Sequence, residues 1–206
     1  RLWENLFGRS ELVAPHLLRH LQSHFPVQFA DVTPKELYLA SNKVEPGYIR
    51  VNADEVTYGL HIILRFQIEK ELIEGSLEVE NLPDRWWSLM QDLLGLAPAS
   101  DSSGVLQDVH WASGYFGYFP TYSLGTILSQ QLFTKAISDI PEVITEMRAG
   151  QSYSLLDWMR NHVHIHGSKW SALQLVKHEL SSQIDPAPYI QYLSKKYRSI
   201  YGIASK

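Results

Sequence analysis

Apolar residues recur along most of this chain at the three- to four-residue spacing of an amphipathic helix. Between residues 11 and 24, Leu12, Leu17, Leu18 and Leu21 fall near that spacing, and Pro15 lies in the first turn, where a helix tolerates it. The same pattern, interrupted by Pro and Gly, predicts further helices at 55–74, 82–95, 124–138, 141–148, 155–164, 172–181 and 188–201. The predicted fold class is therefore mainly α.

Residues with known preferences mark several helix ends. The sequence Thr33-Pro34-Lys35-Glu36 is a capping box, with Thr33 as N-cap and Glu36 reaching back to it. Gly75 and Gly150 stand where C-terminal caps are expected.

Residues 48–51 (YIRV) are the best candidate for a short strand, and Asp54 after them can cap the next helix. No stretch is long enough to be an interdomain linker. We expect a single helical lobe over residues 1–206, with at most a very small β-sheet.

Composition narrows the class of protein. The 206 residues are 45% hydrophobic and 19% charged, a globular balance, and the formal net charge is −4. No basic excess supports nucleic-acid binding, and the longest apolar run, 60–66, is broken by His61 and Arg65, so no membrane span is expected. The absence of cysteine excludes disulfides and thiol nucleophiles and fits a reducing, cytoplasmic location.

Two groups of histidines raise the question of a metal site. His16, His20 and His24 lie one turn apart, but the zinc motif HExxH occurs nowhere in the chain, so we interpret them as the polar face of a surface helix.

The histidines of HVHIHG (162–167) alternate, and only His162 and His166 would share a side of a helix. Because no carboxylate or thiolate is evident nearby, we interpret them as histidines at a helix C-terminus. Adventitious nickel or zinc binding, and a small metal-binding protein using these histidines, are the weaker alternatives.

Polar residues also interrupt apolar patterns. His61, Arg65 and Glu69 share one face of an otherwise apolar helix, which predicts either an internal ion-pair ladder or a buried polar network that lines a cleft. Arg50 stands between strand-like residues and a helix cap, where its guanidinium could bind the carboxylate of a chain terminus.

The segment 104–122 (GVLQDVHWASGYFGYFPTY) places Gln107, Asp108 and His110 among six aromatic residues. Such a segment is either core or interface, or a set of imidazole and phenol donors able to stabilise the oxyanion of a tetrahedral intermediate.

These strings resemble a known family. IRVNADEVTY (49–58) and GVLQDVHW (104–111), followed by FGYFPTY (116–122), are similar to the thermostable zinc carboxypeptidases typified by carboxypeptidase Taq. RLWEN at the start and HVHIHG extend the resemblance over nearly the whole chain.

The resemblance implies a mostly helical, gluzincin-type metallocarboxypeptidase with a deep groove, often a homodimer. In that family zinc is held by two histidines of an HExxH helix and by a Glu in a string that runs directly into RLWEN. We therefore expect the zinc ligands and the general-base Glu upstream of Arg1, and this chain to be a C-terminal fragment that alone holds no zinc and is inactive.

The resemblance also implies roles for residues that match the family motifs. Arg50 would grip the C-terminal carboxylate of a peptide substrate, and Gln107 and Asp108 would assist in binding it. In the implied mechanism zinc-bound water attacks the last peptide bond.

The implied catalytic residues are His110, which would help polarise the scissile carbonyl or shape that wall of the groove, and Tyr122 or else Tyr118, which would donate to the oxyanion. The alternative to an enzyme is a non-catalytic helical module that lacks the zinc lobe and binds peptides or proteins through its aromatic groove.

Overall fold

The computed structural model describes residues 1–97 and 99–204, and among these it contains helices and no strand. This confirms the predicted fold class. A π-helical turn, Leu2–Gly8, comes first. Nine α-helices follow in this described part of the chain: α1 Ala14–His24, α2 Pro34–Ser41, α3 Tyr58–Ile73, α4 Leu82–Leu94, α5 Pro120–Asp139, α6 Glu142–Arg148, α7 Tyr153–His162, α8 Ala172–Leu180 and α9 Ala187–Tyr201.

The predicted helix ends are confirmed where a local hydrogen bond or backbone angle decides them. Thr33 and Glu36 form the reciprocal capping box of α2, and Pro34 opens that helix. Gly75 and Gly95 adopt left-handed φ values of 72° and 69° just after α3 and α4. Asp54 accepts the backbone N–H groups of Val56 and Thr57 in the turn before α3.

The strand predicted at 48–51 is wrong. Arg50–Asn52 is a single 3₁₀ turn. The side chain of Gln107 binds the two backbone groups that a neighbouring strand would otherwise need: it accepts from the N–H of Arg50 and donates to the carbonyl of Tyr48. Hydrogen bonds from a distant loop thus replace a sheet ladder.

The chain divides into two compact units, and the single lobe expected for 1–206 stays a prediction. The first unit comprises Arg1–Asn42 and the chain from Gly125 onward. Its apolar core includes Leu132, Val143, Leu155 and Trp158.

Gly150, in the turn after α6, has φ +71°. A Cβ atom placed there would lie 2.1 Å from the imidazole of His16 in α1, so the close packing of this turn on α1 requires glycine.

The second unit, Lys43–Leu124, carries the candidate site. Its core is the pairing of α3 with α4, in which Leu64, Ile68, Trp86 and Met90 are buried. On the rim of this pair, Arg85 of α4 donates to both oxygens of Glu71 of α3, at 2.8 and 2.6 Å. The α3 helix is buried over much of its circumference, because His61, Arg65 and Glu69 are buried along with its apolar residues.

Candidate substrate-binding and catalytic site

The site is organised by the amide of Gln107. Its oxygen accepts the backbone N–H of Arg50 at 2.8 Å, and its nitrogen lies 2.8–3.2 Å from the carbonyl oxygens of Tyr48, Ser103 and Gly104. One neutral side chain therefore fixes two irregular loops against each other. Since Asp108 is the next residue, this arrangement places its carboxylate beside the guanidinium of Arg50.

Asp108 is shared by two arginines, and we call Arg50, Asp108 and Arg65 the arginine–aspartate cluster. Oδ1 accepts from Nε and Nη2 of Arg50, at 3.0 and 2.6 Å. Oδ2 accepts from Nε of Arg65, at 2.6 Å. The side chains are 7% (Arg50), 11% (Asp108) and 0% (Arg65) exposed. Two positive groups and one negative group leave the cluster with one net positive charge.

The protonation states of the cluster follow from burial and mutual attraction. Burial alone would raise the pKa of Asp108, but the hydrogen bonds and charges of both arginines outweigh it and hold that pKa below its ordinary value. Burial lowers the pKa of Arg65 to about 10, partly offset by Asp108. All three groups are therefore charged at neutral pH.

An aromatic wall adjoins the cluster. Nε2 of His110 lies 3.0 Å from the hydroxyl of Tyr122, in the first turn of α5. The ring of Tyr122 lies 5.2 Å from the guanidinium carbon of Arg50. The Tyr118 ring is 5.6 Å from the His110 ring, but Tyr118 is exposed. Phe119, almost fully buried, packs 4.4 Å from His110 and holds the imidazole in place.

These groups can donate protons or hydrogen bonds to a developing negative charge. Burial raises the pKa of Tyr122, with a smaller opposing effect of Arg50, so the phenol keeps its proton at neutral pH. Nδ1 of His110 is buried, makes no hydrogen bond among the described residues and lies 3.8 Å from Oδ1 of Asp108. The imidazole is thus positioned by its hydrogen bond to Tyr122 and by the packing of Phe119.

The polar face of α3 forms a buried network, and the alternative of an ion-pair ladder is wrong. Arg65 pairs with Asp108 across 43 residues and donates Nη1 to the carbonyl of His61. Glu69 instead accepts from the indole N–H of Trp111 at 2.9 Å. Burial, followed by the charge of Arg65, lowers the pKa of His61 to about 4, so this histidine is neutral at pH 7.

The site also includes residues that the sequence reasoning did not assign to it. The sequence signal for Arg65 is a polar residue on an otherwise apolar helix face, which indicates a buried partner but does not identify it as Asp108. Tyr58, which accepts from Nη1 of Arg50 at 3.1 Å, carried no signal apart from its position at the end of IRVNADEVTY.

The residues of the arginine–aspartate cluster do not form a zinc site. Both oxygens of Asp108 are engaged by arginines. Within residues 1–97 and 99–204, the one group of three histidine or acidic side chains that could share a metal ion is His166, His178 and Glu179, in the first unit. The expectation that the HVHIHG histidines have no carboxylate partner is wrong, because Glu179 contacts both His162 and His166.

The surface interpretation of the other histidine group agrees with the structure. His20 and His24 are exposed on α1, and His16 is partly buried. No helix among the described residues has the length and apolar character needed to cross a membrane.

Comparison with known proteins places these features in a family. Residues 1–197 match the family model described as carboxypeptidase Taq (M32) metallopeptidase. Carboxypeptidase 1 of Bacillus subtilis is 40% identical over 199 residues, covering 97% of this chain and 40% of that protein. Thermostable carboxypeptidase 1 of Thermus thermophilus is 41% identical over 202 residues, covering 98% of this chain and 39% of that protein.

The structural match agrees with the sequence match. The crystal structure of an M32 carboxypeptidase from Deinococcus radiodurans superposes with a TM-score of 0.93 at 38% identity, covering 98% of this chain and 41% of that one. The chain thus spans about 40% of the length of the relatives that it matches. With the family model matched over nearly its whole length, this chain belongs to the carboxypeptidase Taq (M32) family of metallopeptidases.

Proposed function

We propose that this chain supplies the substrate-carboxylate and oxyanion side of a zinc metallocarboxypeptidase that removes the last residue of peptides. The observation that carries the proposal is the arginine–aspartate cluster, whose one net positive charge lies beside the hydrogen-bonded His110 and Tyr122. A peptide with a free C-terminus offers its terminal carboxylate to the first feature and the carbonyl of the preceding residue to the second.

Arg50 is the group proposed to attract the terminal carboxylate. Of the two arginines it is the one next to Tyr122, and Asp108 neutralises only one of the two guanidinium charges. In low-dielectric surroundings an unbalanced charge of this kind favours a carboxylate strongly over a neutral amide. Gln107 and Asp108 serve substrate binding by holding Arg50 in position.

Tyr122 and His110 are proposed to act on the scissile carbonyl. The phenol is protonated at neutral pH and can donate a hydrogen bond to the oxyanion that forms as the carbonyl becomes tetrahedral. His110 orients that phenol through Nε2 and presents Nδ1 as a second polar atom. Tyr122 is favoured over Tyr118 because it alone of the two is hydrogen-bonded to His110 in the described structure.

Zinc, when bound, would supply the activated water that attacks the carbonyl. We propose that the zinc ligands correspond to the part of the relatives' sequences that this chain does not cover. We expect the 206-residue chain alone, incubated with zinc and peptide, to release no amino acid.

The alternative function is a non-catalytic binding module. Peptide binding without turnover, even after the remainder of the protein is restored, would support that alternative. The cytoplasmic location and the homodimer stay predictions.

The carboxylate proposal is tested with two substrates that differ in one group. The zinc-loaded protein containing this chain is assayed on an N-blocked tripeptide with a free C-terminus and on its C-terminal amide. We expect Arg50→Lys to lower kcat/KM for the free acid about a hundredfold and to reduce the preference for acid over amide, because Lys cannot make the bidentate contact.

The matched control is Arg85→Lys, which alters an arginine–carboxylate pair of similar geometry on the rim of the same unit. A folding defect would lower the rates on both substrates equally, so the ratio reports the site. An unchanged acid-to-amide preference in Arg50→Lys would remove Arg50 from carboxylate recognition.

The oxyanion proposal is tested by comparing two tyrosines on the same wall. Tyr122→Phe is expected to lower kcat about a hundredfold with little change in KM, because the lost donor acts only on the developing charge. Tyr118→Phe, at an exposed position, is expected to leave kcat within about threefold of the parent. The reverse outcome would assign the oxyanion to Tyr118.

A further inference from the structure

Three histidines surround one buried carboxylate in the first unit, remote in sequence from the arginine–aspartate cluster. His162 is the last residue of α7, His166 ends the 3₁₀ turn His164–His166, and His178 and Glu179 lie in the last turn of α8. We call His162, His166, His178 and Glu179 the histidine–glutamate cluster. The Glu179 side chain is only 8% exposed.

The atoms of the cluster converge on the two oxygens of Glu179. Oε1 lies 3.2 Å from Nε2 of His166 and 2.8 Å from Nδ1 of His178. Oε2 lies 2.6 Å from Nδ1 of His162. The ligand atoms of His166, His178 and Glu179 all lie within 4.8 Å of one another. In an ideal tetrahedral zinc site, with bonds of about 2.0–2.2 Å, ligand atoms are about 3.3–3.6 Å apart.

The indole ring of Trp170 packs against the imidazoles of both His166 and His178. Its ring centroid lies 4.2 Å from that of His166 and 4.0 Å from that of His178. This packing restricts rotation of both rings, so less side-chain entropy is lost when they bind a common ion.

The remaining contact is a support rather than a ligand. His162 binds Oε2 of Glu179, whereas the other two histidines bind Oε1, and the His162 ring stacks on Trp158 with ring centroids 4.4 Å apart. A histidine that holds a ligating carboxylate through its second oxygen is the outer-shell arrangement that orients metal ligands.

We propose that His166 Nε2, His178 Nδ1 and Glu179 Oε1 bind a zinc ion, with His162 orienting the carboxylate. Two imidazoles and one carboxylate suit Zn²⁺ and are poor ligands for Mg²⁺, which prefers oxygen. The His178 side chain is 56% exposed, which leaves the ion open to solvent for a fourth ligand. The bound ion would join the turn after α7 to the end of α8.

The test measures zinc binding by the untagged 206-residue chain, with ZnCl₂ as the probe and calorimetry as the readout. All variants carry His20→Ala, because His16 and His20 bring two imidazole nitrogens to 3.0 Å on α1 and could bind a second ion. In that background we expect one equivalent of zinc to bind and MgCl₂ to give no heat.

The substitutions separate ligands from neighbours. Glu179→Gln and His178→Ala are expected to abolish the one-equivalent binding, and His162→Ala is expected to weaken it about tenfold. His164→Ala is the matched control, since His164 is exposed in the same turn and belongs to no part of the cluster, and its affinity should equal that of the background.

Two further readouts keep the proposal falsifiable if a variant is destabilised. Co²⁺ added to the His20→Ala chain should give the visible absorption of a four-coordinate ion, and zinc should raise its melting temperature. Absence of zinc binding by the His20→Ala chain, or equal binding by Glu179→Gln with its far-UV circular dichroism unchanged, would overturn the proposal.

Discussion

Replacing Asp108 by Asn should destabilise the protein far more than the loss of one surface ion pair, because the two arginines that bind it are buried. Asp108 accepts three charge-assisted hydrogen bonds of 2.6–3.0 Å, and the Arg65 side chain is fully buried. Removing one partner of a buried ion pair costs about 3–5 kcal/mol, since it leaves an uncompensated charge behind. We expect a loss in this range.

The matched control is Glu71→Gln in the same unit. Glu71 and Arg85 make equally short bonds, at 2.6 and 2.8 Å, but their side chains are 27% and 33% exposed. Exposed pairs contribute about 0–1 kcal/mol. Hydrogen bonds of similar length should therefore give different costs, because Asp108 is more buried than Glu71 and is shared by two arginines rather than one.

The assay is urea unfolding at pH 7, followed by far-UV circular dichroism and by tryptophan fluorescence. A third variant, Asp108→Asn combined with Arg65→Met, removes one of the two uncompensated charges and should recover part of the stability lost in Asp108→Asn. Equal costs for Asp108→Asn and Glu71→Gln, or no recovery in the double variant, would refute the account of a buried, charge-imbalanced cluster.

Two further predictions concern a buried histidine and a packed glycine. The folded-state pKa of His61 is about 4 against an ordinary 6.5, so the unfolded chain alone takes up this proton and stability falls as the pH drops from 6.5 towards 4, by about 2 kcal/mol between pH 7 and pH 5. Urea unfolding of the parent and of His61→Gln at both pH values measures this, and an equal pH dependence in the two would contradict it. Gly150→Ala should cost about 2–4 kcal/mol, because its Cβ would lie 2.1 Å from His16 and φ is +71°. Gly75→Ala, with φ +72° and no atom within 4 Å, should cost only the backbone term of about 1–2 kcal/mol, and equal melting temperatures would argue against the close packing at Gly150.

The helices could be predicted because the signals that define them are local. Periodic leucines, the capping box at Thr33 and the glycine after α4 each act within one or two turns. The strand at 48–51 could not be judged in this way. Its backbone groups are bound by Gln107, more than fifty residues away, and no local pattern reports that contact.

Sequence motifs likewise predict part of the candidate site, but not the contacts between residues on distant elements. The two motif strings indicated that Arg50 and Asp108 belong to one site, and the structure adds the atoms that join them. The sharing of Asp108 with Arg65 depends on how α3 packs, which the sequence alone does not specify. Glu179 escaped notice for the same reason, because it reaches His162 from a different helix, 17 residues later.

Gln107 makes the chemical durability of the site depend on one amide bond. Its nitrogen faces three backbone carbonyl oxygens, and its oxygen faces one backbone N–H. Hydrolysis to Glu would replace the donor by a negatively charged oxygen and turn three attractions into repulsions. The helices of the unit would survive, but the hydrogen bonds that the Gln107 amide donates to both loops would be lost. Slow deamidation of Gln107 would thus impair the positioning of Arg50 and Asp108 while the rest of the protein remains folded.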